Sequence, residues 1–232
     1  MKAIKLLSIL FSIILFSQCT NKSPNEVSKL NNQLITQIES LIQKDLNSLE
    51  KARELREKFG MQSEESKRED LIGDSIRANN LIELDKILKE HGWPGEDVIS
   101  EEAAYSFFSI IQHADKKSRP KYLPIIRDAV KSGKCRPQYL AGVEDRIATD
   151  NNQLQIYGDQ VKFYPITETF DVWPIKDPEN VDKRRASIGL DSIATHLKNR
   201  FKLDWDLEKQ IIRTEEFIEE KKNNEMLTID KK

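Results

Sequence analysis

The chain has 232 residues, 38% of them hydrophobic and 33% charged, which suits one globular domain with long polar helices better than two full domains. Its 37 Lys and Arg stand against 39 Asp and Glu, so no strong field of either sign exists to hold a polyanion, and nucleic acid is a poor candidate partner.

At the N-terminus Lys2 and Lys5 precede an apolar run from Leu6 to Phe16, followed by Ser17-Gln18-Cys19. The run is shorter than the roughly 20 residues a membrane span needs, and the order basic, apolar, small is that of an export signal peptide; a transmembrane anchor is the alternative. Phe16-Ser17-Gln18-Cys19 resembles a bacterial lipobox, which implies a lipidated Cys19, although Gln18 stands where a small residue is usual. Cleavage after Cys19 by an ordinary signal peptidase is the competing outcome. Residues 1–19 are thus expected to be a lipoprotein-type leader and 20–26, polar with Pro24, a tether to a bacterial envelope membrane. Cys135 then stands alone and cannot form an intrachain disulfide. Without Lys2 and Lys5, 35 basic residues face 39 acidic ones, a balance of -4.

From Val27 to Phe59 apolar residues recur at three- and four-residue spacing, predicting a long amphipathic helix stopped by Gly60. Gln37, Asp45 and Ser48 fall where a heptad needs apolar residues, so this helix is expected to pack on its own domain rather than in a coiled coil. A second helix is predicted over 69–90, with Leu71, Ile72, Ile76, Leu81, Leu84, Ile87 and Leu88 inward; Trp93-Pro94-Gly95 turns the chain. Ser100 with Glu101 and Glu102 caps a third helix, on which His113 and Asp115 border the apolar face at Ile110, Ile111 and Ala114. Residues two apart on a helix diverge, so these two are not a His-Asp dyad. Further helices carry Leu123 to Val130 and, opened by Pro137, Leu140 to Ile147.

Beyond Asp150-Asn151-Asn152 the period becomes two: Leu154 and Ile156 alternate with Gln153, Gln155 and Tyr157, predicting a strand with a bulge at Gly158. Val161–Tyr164 and Phe170–Trp173 are expected to form a hairpin. Asp177-Pro178 and Asp191-Ser192 start two more helices, the second carrying His196 and Arg200 as solvated neighbours, and 206–232 reads as a charged helix and tail. The predicted fold is mainly α: a compact multi-helix single domain over 27–205 with one small antiparallel hairpin, preceded by the long amphipathic helix.

No phosphate loop, paired cysteines, His-Glu-x-x-His helix or Gly-x-Ser-x-Gly elbow is present, and three scattered histidines do not suggest a metal cage. Neither metal nor cofactor is expected. Gly92-Trp93-Pro94, Gln112-His113-Ala114-Asp115, Asp145-Arg146, Gln155-x-Tyr157-Gly158-x-Gln160 and Pro174-Ile175-x-Asp177-Pro178, followed by Val181-Asp182-x-Arg184-Arg185 and Gly189-Leu190, together resemble the bacterial family numbered 6624 among the domains of unknown function. The likeness covers Leu84 to Leu197; Asp159 stands where the family pattern has a threonine. It implies domain limits and a candidate site, but no reaction.

The polar residues at the edges of these elements suggest a cleft formed by His113, Asp145, Arg146, Gln155, Tyr157, Gln160 and Arg185. His113, Asp145 and Tyr157 are the candidates for chemistry, because imidazole suits proton transfer near neutral pH. Arg146, Gln155, Gln160 and Arg185 suit a small polar or anionic ligand. Asp145, Gln155 and Tyr157 are the expected partners of His113. A metal-independent hydrolase or transferase with His113 as general base is one alternative. Another is an envelope interaction module presenting the long helix, its protein partner unknown. A buried hydrogen-bond network made of the same residues competes with all three.

Overall fold

The computed structural model describes residues 24–164 and 169–229; the expected leader with Cys19, the start of the expected tether and most of the expected hairpin loop lie outside the described residues. The first helix, α1 (Pro24–Phe59), starts inside the expected tether, with proline at its first position, and ends before Gly60 at φ +88°. Its stripe of Leu34, Ile38, Leu41 and Ile42 is buried against α2 and α3, the packing on its own domain that the broken heptad predicts.

Helix α2 (Glu64–His91) begins earlier than expected because Ser63 caps it, accepting from the Ser66 N–H, with Glu64 and Glu65 in the first turn. Its first half does not turn Leu71 and Ile72 inward; they are 68% and 43% exposed. The seam with α1 is instead polar and narrow there: Ser66, Glu69, Gly73 and Asn80 are buried opposite Asp45 and Ser48. Ser48 Oγ donates to Glu69 Oε1 at 3.1 Å and Asn80 Nδ2 to the Leu41 carbonyl at 3.0 Å, so the buried polar groups largely satisfy one another.

Ser100 caps α3 (Glu101–Gln112) through the Ala103 N–H, as expected. A short 3-10 turn, Arg119–Tyr122, leads into α4 (Leu123–Lys131), and Pro137 opens α5 (Pro137–Asp150). Ile38, Leu84, Phe107, Ile111, Tyr122 and Val143 centre the main core of these five helices.

Residues 151–160 do not form the expected strand. Their only ladder contact is a single parallel bridge from Gln155 to Ile175. The alternation misleads because the inward residue is the polar one: Gln155 is fully buried and Ile156 only partly so. Gly158, at φ +78°, turns the loop rather than bulging a strand. The hairpin itself forms, β1 (Val161–Tyr164) antiparallel to β2 (Thr169–Val172), with Val161 opposite Val172. A 3-10 turn at Pro178–Asn180 precedes α6 (Val181–Ser187), α7 (Ile193–Phe201) and α8 (Leu207–Ile229). Val172, Ile175, Val181, Ile193 and Leu197 make a second, smaller core. Helix α8 is tied to it by Gln210 Nε2 to the Trp173 carbonyl at 3.2 Å and Thr214 Oγ1 to the Ile175 carbonyl at 3.1 Å. The architecture is mainly helical with one small hairpin.

Candidate functional site

Helix α3 ends at Gln112, and His113 is its C-cap, its N–H bonded to the Ser109 carbonyl at 2.9 Å. Asp115 therefore lies beyond the helix and not on its border. It accepts from the N–H groups of Lys117 at 2.8 Å and Ser118 at 3.1 Å, which makes it a turn cap. The two residues do not pair, as expected, but the partner of His113 comes from none of the expected places. It is Asp45, on α1 and only 1% exposed, which bonds His113 Nδ1 and also accepts from Arg77 Nη1 at 3.1 Å. Burial pushes the Asp45 carboxyl up, but the bonds and charges of His113 and Arg77 outweigh it and hold it below its ordinary value. An ionised Asp45 can only accept, so the network places the shared proton on Nδ1. In the neutral ring Nε2 is then the free lone pair, and the His113 side chain is 31% exposed.

Asp145, in contrast, is sealed. Its carboxylate accepts from the N–H groups of Ile156 at 2.6 Å, Tyr157 at 3.0 Å and Asp159 at 3.0 Å, and so shapes the loop that follows α5. Burial pushes its pKa up to about 6 against the pull of those donors. Gln155 fastens the same loop: Nε2 donates to the carbonyls of Gln160 at 3.0 Å and Trp173 at 2.7 Å, while Oε1 accepts from the Gln160 N–H at 2.9 Å. Arg185, 1% exposed, donates to the carbonyls of Tyr157 and Asp191, each at 2.6 Å. Asp145, Gln155 and Arg185 thus hold backbone, and Tyr157 supplies backbone groups to two of them.

Three of the seven expected residues, His113, Arg146 and Gln160, line one cleft of about 470 Å³ where the two cores meet. Arg77, Gln112, Asp159 and Arg200 complete its polar wall, and Leu49, Val161 and Phe201 its apolar one. Arg146 Nη1 donates to Gln160 Oε1 at 3.0 Å, and Gln160 Nε2 to Asp159 Oδ2 at 2.9 Å. Arg200 Nη1 lies 3.4 Å from Asp159 Oδ1. Burial raises the pKa of Asp159, against the opposing pull of Arg200, Arg185 and Arg146. Gln112 Nε2 donates to the Gly142 carbonyl at 3.1 Å, and its Oε1 is buried without a partner.

His196 is not solvated. Its side chain is 15% exposed and packs edge-on against Phe201, with Nε2 3.4 Å from Asp159 Oδ1 but not aligned for a hydrogen bond. Burial, reinforced by Arg185 and Arg200, pushes its pKa down to about 4. Among the described residues no three His, Cys, Asp or Glu side chains are placed to share a metal ion.

Arg77 and Arg200 on the cleft wall, and Asp45 buried behind His113, are residues that the sequence pattern does not mark as part of a site. Asp45 left one trace, a charged residue on an apolar stripe; Arg200 left none, since a basic residue in the last turn of a short helix is ordinary.

Comparison with curated proteins and with solved structures finds no match. The family model described as "Family of unknown function (DUF6624)" matches residues 41–203. That span begins within α1 and takes in Asp45 as well as every residue that lines the cleft. With more than two thirds of its length matched, the chain belongs to this family of unknown function, DUF6624.

Proposed function

We propose that the cleft binds a small anion or an anionic group of a larger polar ligand. One observation carries this reading: Arg146 from α5 and Arg200 from α7, 47% and 53% exposed, face the same cavity as His113, with Asp159 the one carboxylate on its wall among the described residues. Arg77 also faces it but is already bonded to Asp45 and Asp74. Asp159 is itself bridged by Gln160 and Arg200, which lessens its repulsion of an entering anion. A guanidinium fork matches the oxygens of phosphate or carboxylate. Titration of the full chain with inorganic phosphate by calorimetry tests it: saturable binding is expected, weakened about tenfold by Arg146→Ala and likewise by Arg200→Ala. Absence of saturable binding, or indifference to both substitutions, overturns the reading.

The bond from buried Asp45 to His113 favours a second reading, in which the bound ligand reacts and His113 is the base.

We also propose that the domain is tethered to a bacterial envelope membrane by a lipid on Cys19. The support is the order of Lys2, Lys5, the Leu6–Phe16 run and Cys19. Mass spectrometry of the mature N-terminus is expected to find an acylated Cys19; a mature chain with a free Thr20 at its start refutes it.

A further inference from the structure

We propose that the cleft hydrolyses phosphate esters, with His113 Nε2 as general base, Asp45 as the residue that positions it, and Arg146 and Arg200 holding the phosphoryl oxygens. The proposal rests on the anion reading and goes beyond it, since binding requires neither the Asp45 bond nor a free imidazole nitrogen.

Three observations lead there. The first is the Asp45–His113 pair. A sealed carboxylate on Nδ1 fixes the ring and its tautomer, which leaves Nε2 to accept a proton at the cleft, and it stabilises the imidazolium that forms.

The second is what the cleft lacks. Among the described residues no Ser, Thr, Cys or Lys lines it, so none of those side chains suits an acyl-enzyme intermediate. The N–H groups of Ile156, Tyr157 and Asp159 are held by Asp145, and that of Gln160 by Gln155. Those four N–H groups are therefore already engaged and do not form an oxyanion hole of the kind that acyl transfer requires.

The third is what it has. Phosphoryl transfer asks a protein mainly for positioning and for charge around the equatorial oxygens, and two guanidinium groups from different helices supply that. Leu49, Val161 and Phe201 offer an apolar wall for the organic part of an ester.

The step balances with water as the only co-reactant. His113 Nε2 removes a proton from water as its oxygen bonds to phosphorus, and the ester P–O bond breaks. The leaving oxygen takes a proton from solvent, and the imidazolium returns its own to solvent. The products are an alcohol and a phosphate.

The test uses the full chain with p-nitrophenyl phosphate and bis(p-nitrophenyl) phosphate, measuring p-nitrophenol release, together with inorganic phosphate binding by calorimetry. Hydrolysis of at least one ester is expected, with inorganic phosphate as a competitive inhibitor. Asp45→Asn is expected to lower kcat about a hundredfold or more while KM stays within about twofold, and Arg146→Ala to raise KM and lower kcat together. Retained phosphate binding reports that a variant is folded; should Asp45→Asn lose it, His113→Gln, at a partly exposed position, carries the same expectation. Phosphate binding by the wild-type chain without hydrolysis of either ester overturns this proposal and leaves the anion reading standing. A folded Asp45→Asn or His113→Gln variant with unchanged kcat does the same. Failure to bind phosphate at all removes both.

Discussion

The imidazole of His196, behind Asp159, is held down to about pKa 4, whereas a histidine in an unfolded chain titrates near 6.5. Between those values the unfolded chain takes up a proton that the folded one refuses, so this side chain makes stability fall as pH drops from about 6.5 to about 4. Asp145 does the opposite. Its folded value of about 6 lies above the ordinary 3.8, so the folded chain keeps a proton the unfolded one has lost, and stability falls as pH rises from about 4 to about 6. Each shift is worth on the order of 3 kcal/mol if taken at full value. The slopes oppose, so the wild-type melting temperature is expected to be nearly flat between about pH 4 and 6. Asp45, held below its ordinary value, adds its own loss only as pH falls below about 4. His196→Gln removes the first slope, and its melting temperature should fall as pH rises from 4 to 6; a flat profile in that variant refutes a raised pKa at Asp145 and at Asp159, whose carboxyl burial also pushes up and which therefore contributes with the same sign. Residues also differ in how far the sequence discloses them. His113 is legible because it ends an apolar run. Its partner is not, because a charged residue on the stripe of α1 declares that it needs a partner without saying which residue, 68 positions away, supplies it.

At the level of elements, what is local is legible. The caps at Ser100 and Ser192, the stop at Gly60 and the start at Pro137 each depend on a few adjacent residues. The loop over 151–160 is not local: Asp145 from α5, Gln155 and Arg185 from α6 fold it, and period-two spacing carries no record of them. The second half of α2 follows its hydrophobic pattern, whereas the first half obeys the polar seam with α1. Gly158 is the point at which the loop meets the small core. A Cβ there would stand 2.6 Å from Ile193 Cδ1 and 3.0 Å from Ile175 Cδ1, at a φ of +78°. Gly158→Ala therefore combines overpacking with a left-handed backbone and should cost about 2–4 kcal/mol. Gly133, at φ +71° with nothing within 4 Å of its added Cβ, isolates the backbone part, and Gly133→Ala should cost only about 1 kcal/mol. Denaturant melts of both variants decide it: equal losses would mean that the small core yields freely at Gly158.

Over the whole molecule, charge is balanced and the proposed anion site is local. A formal net charge of -2 gives no long-range attraction for anions, so an anion bound as proposed would be drawn by the few guanidinium groups where the helical core meets the small one. Arg146 and Arg200 are about half exposed and are screened over a length of about 10 Å at 0.1 M salt, which shrinks to about 3 Å at 1 M. Phosphate binding should accordingly weaken about tenfold between low salt and about 0.5 M sodium chloride. Arg146→Ala should weaken the low-salt affinity and flatten the salt dependence together, because one screened contact has gone. Duplex DNA presents the same phosphate chemistry as a continuous rod, but a cavity of about 470 Å³ admits a terminal phosphate and not a duplex backbone. A labelled duplex should therefore show no anisotropy change at low salt under conditions where inorganic phosphate saturates the cleft. If the duplex competes with phosphate, the basic groups form an open surface and not an enclosed site; if salt leaves phosphate affinity unchanged, the contacts that hold it are not these exposed arginines.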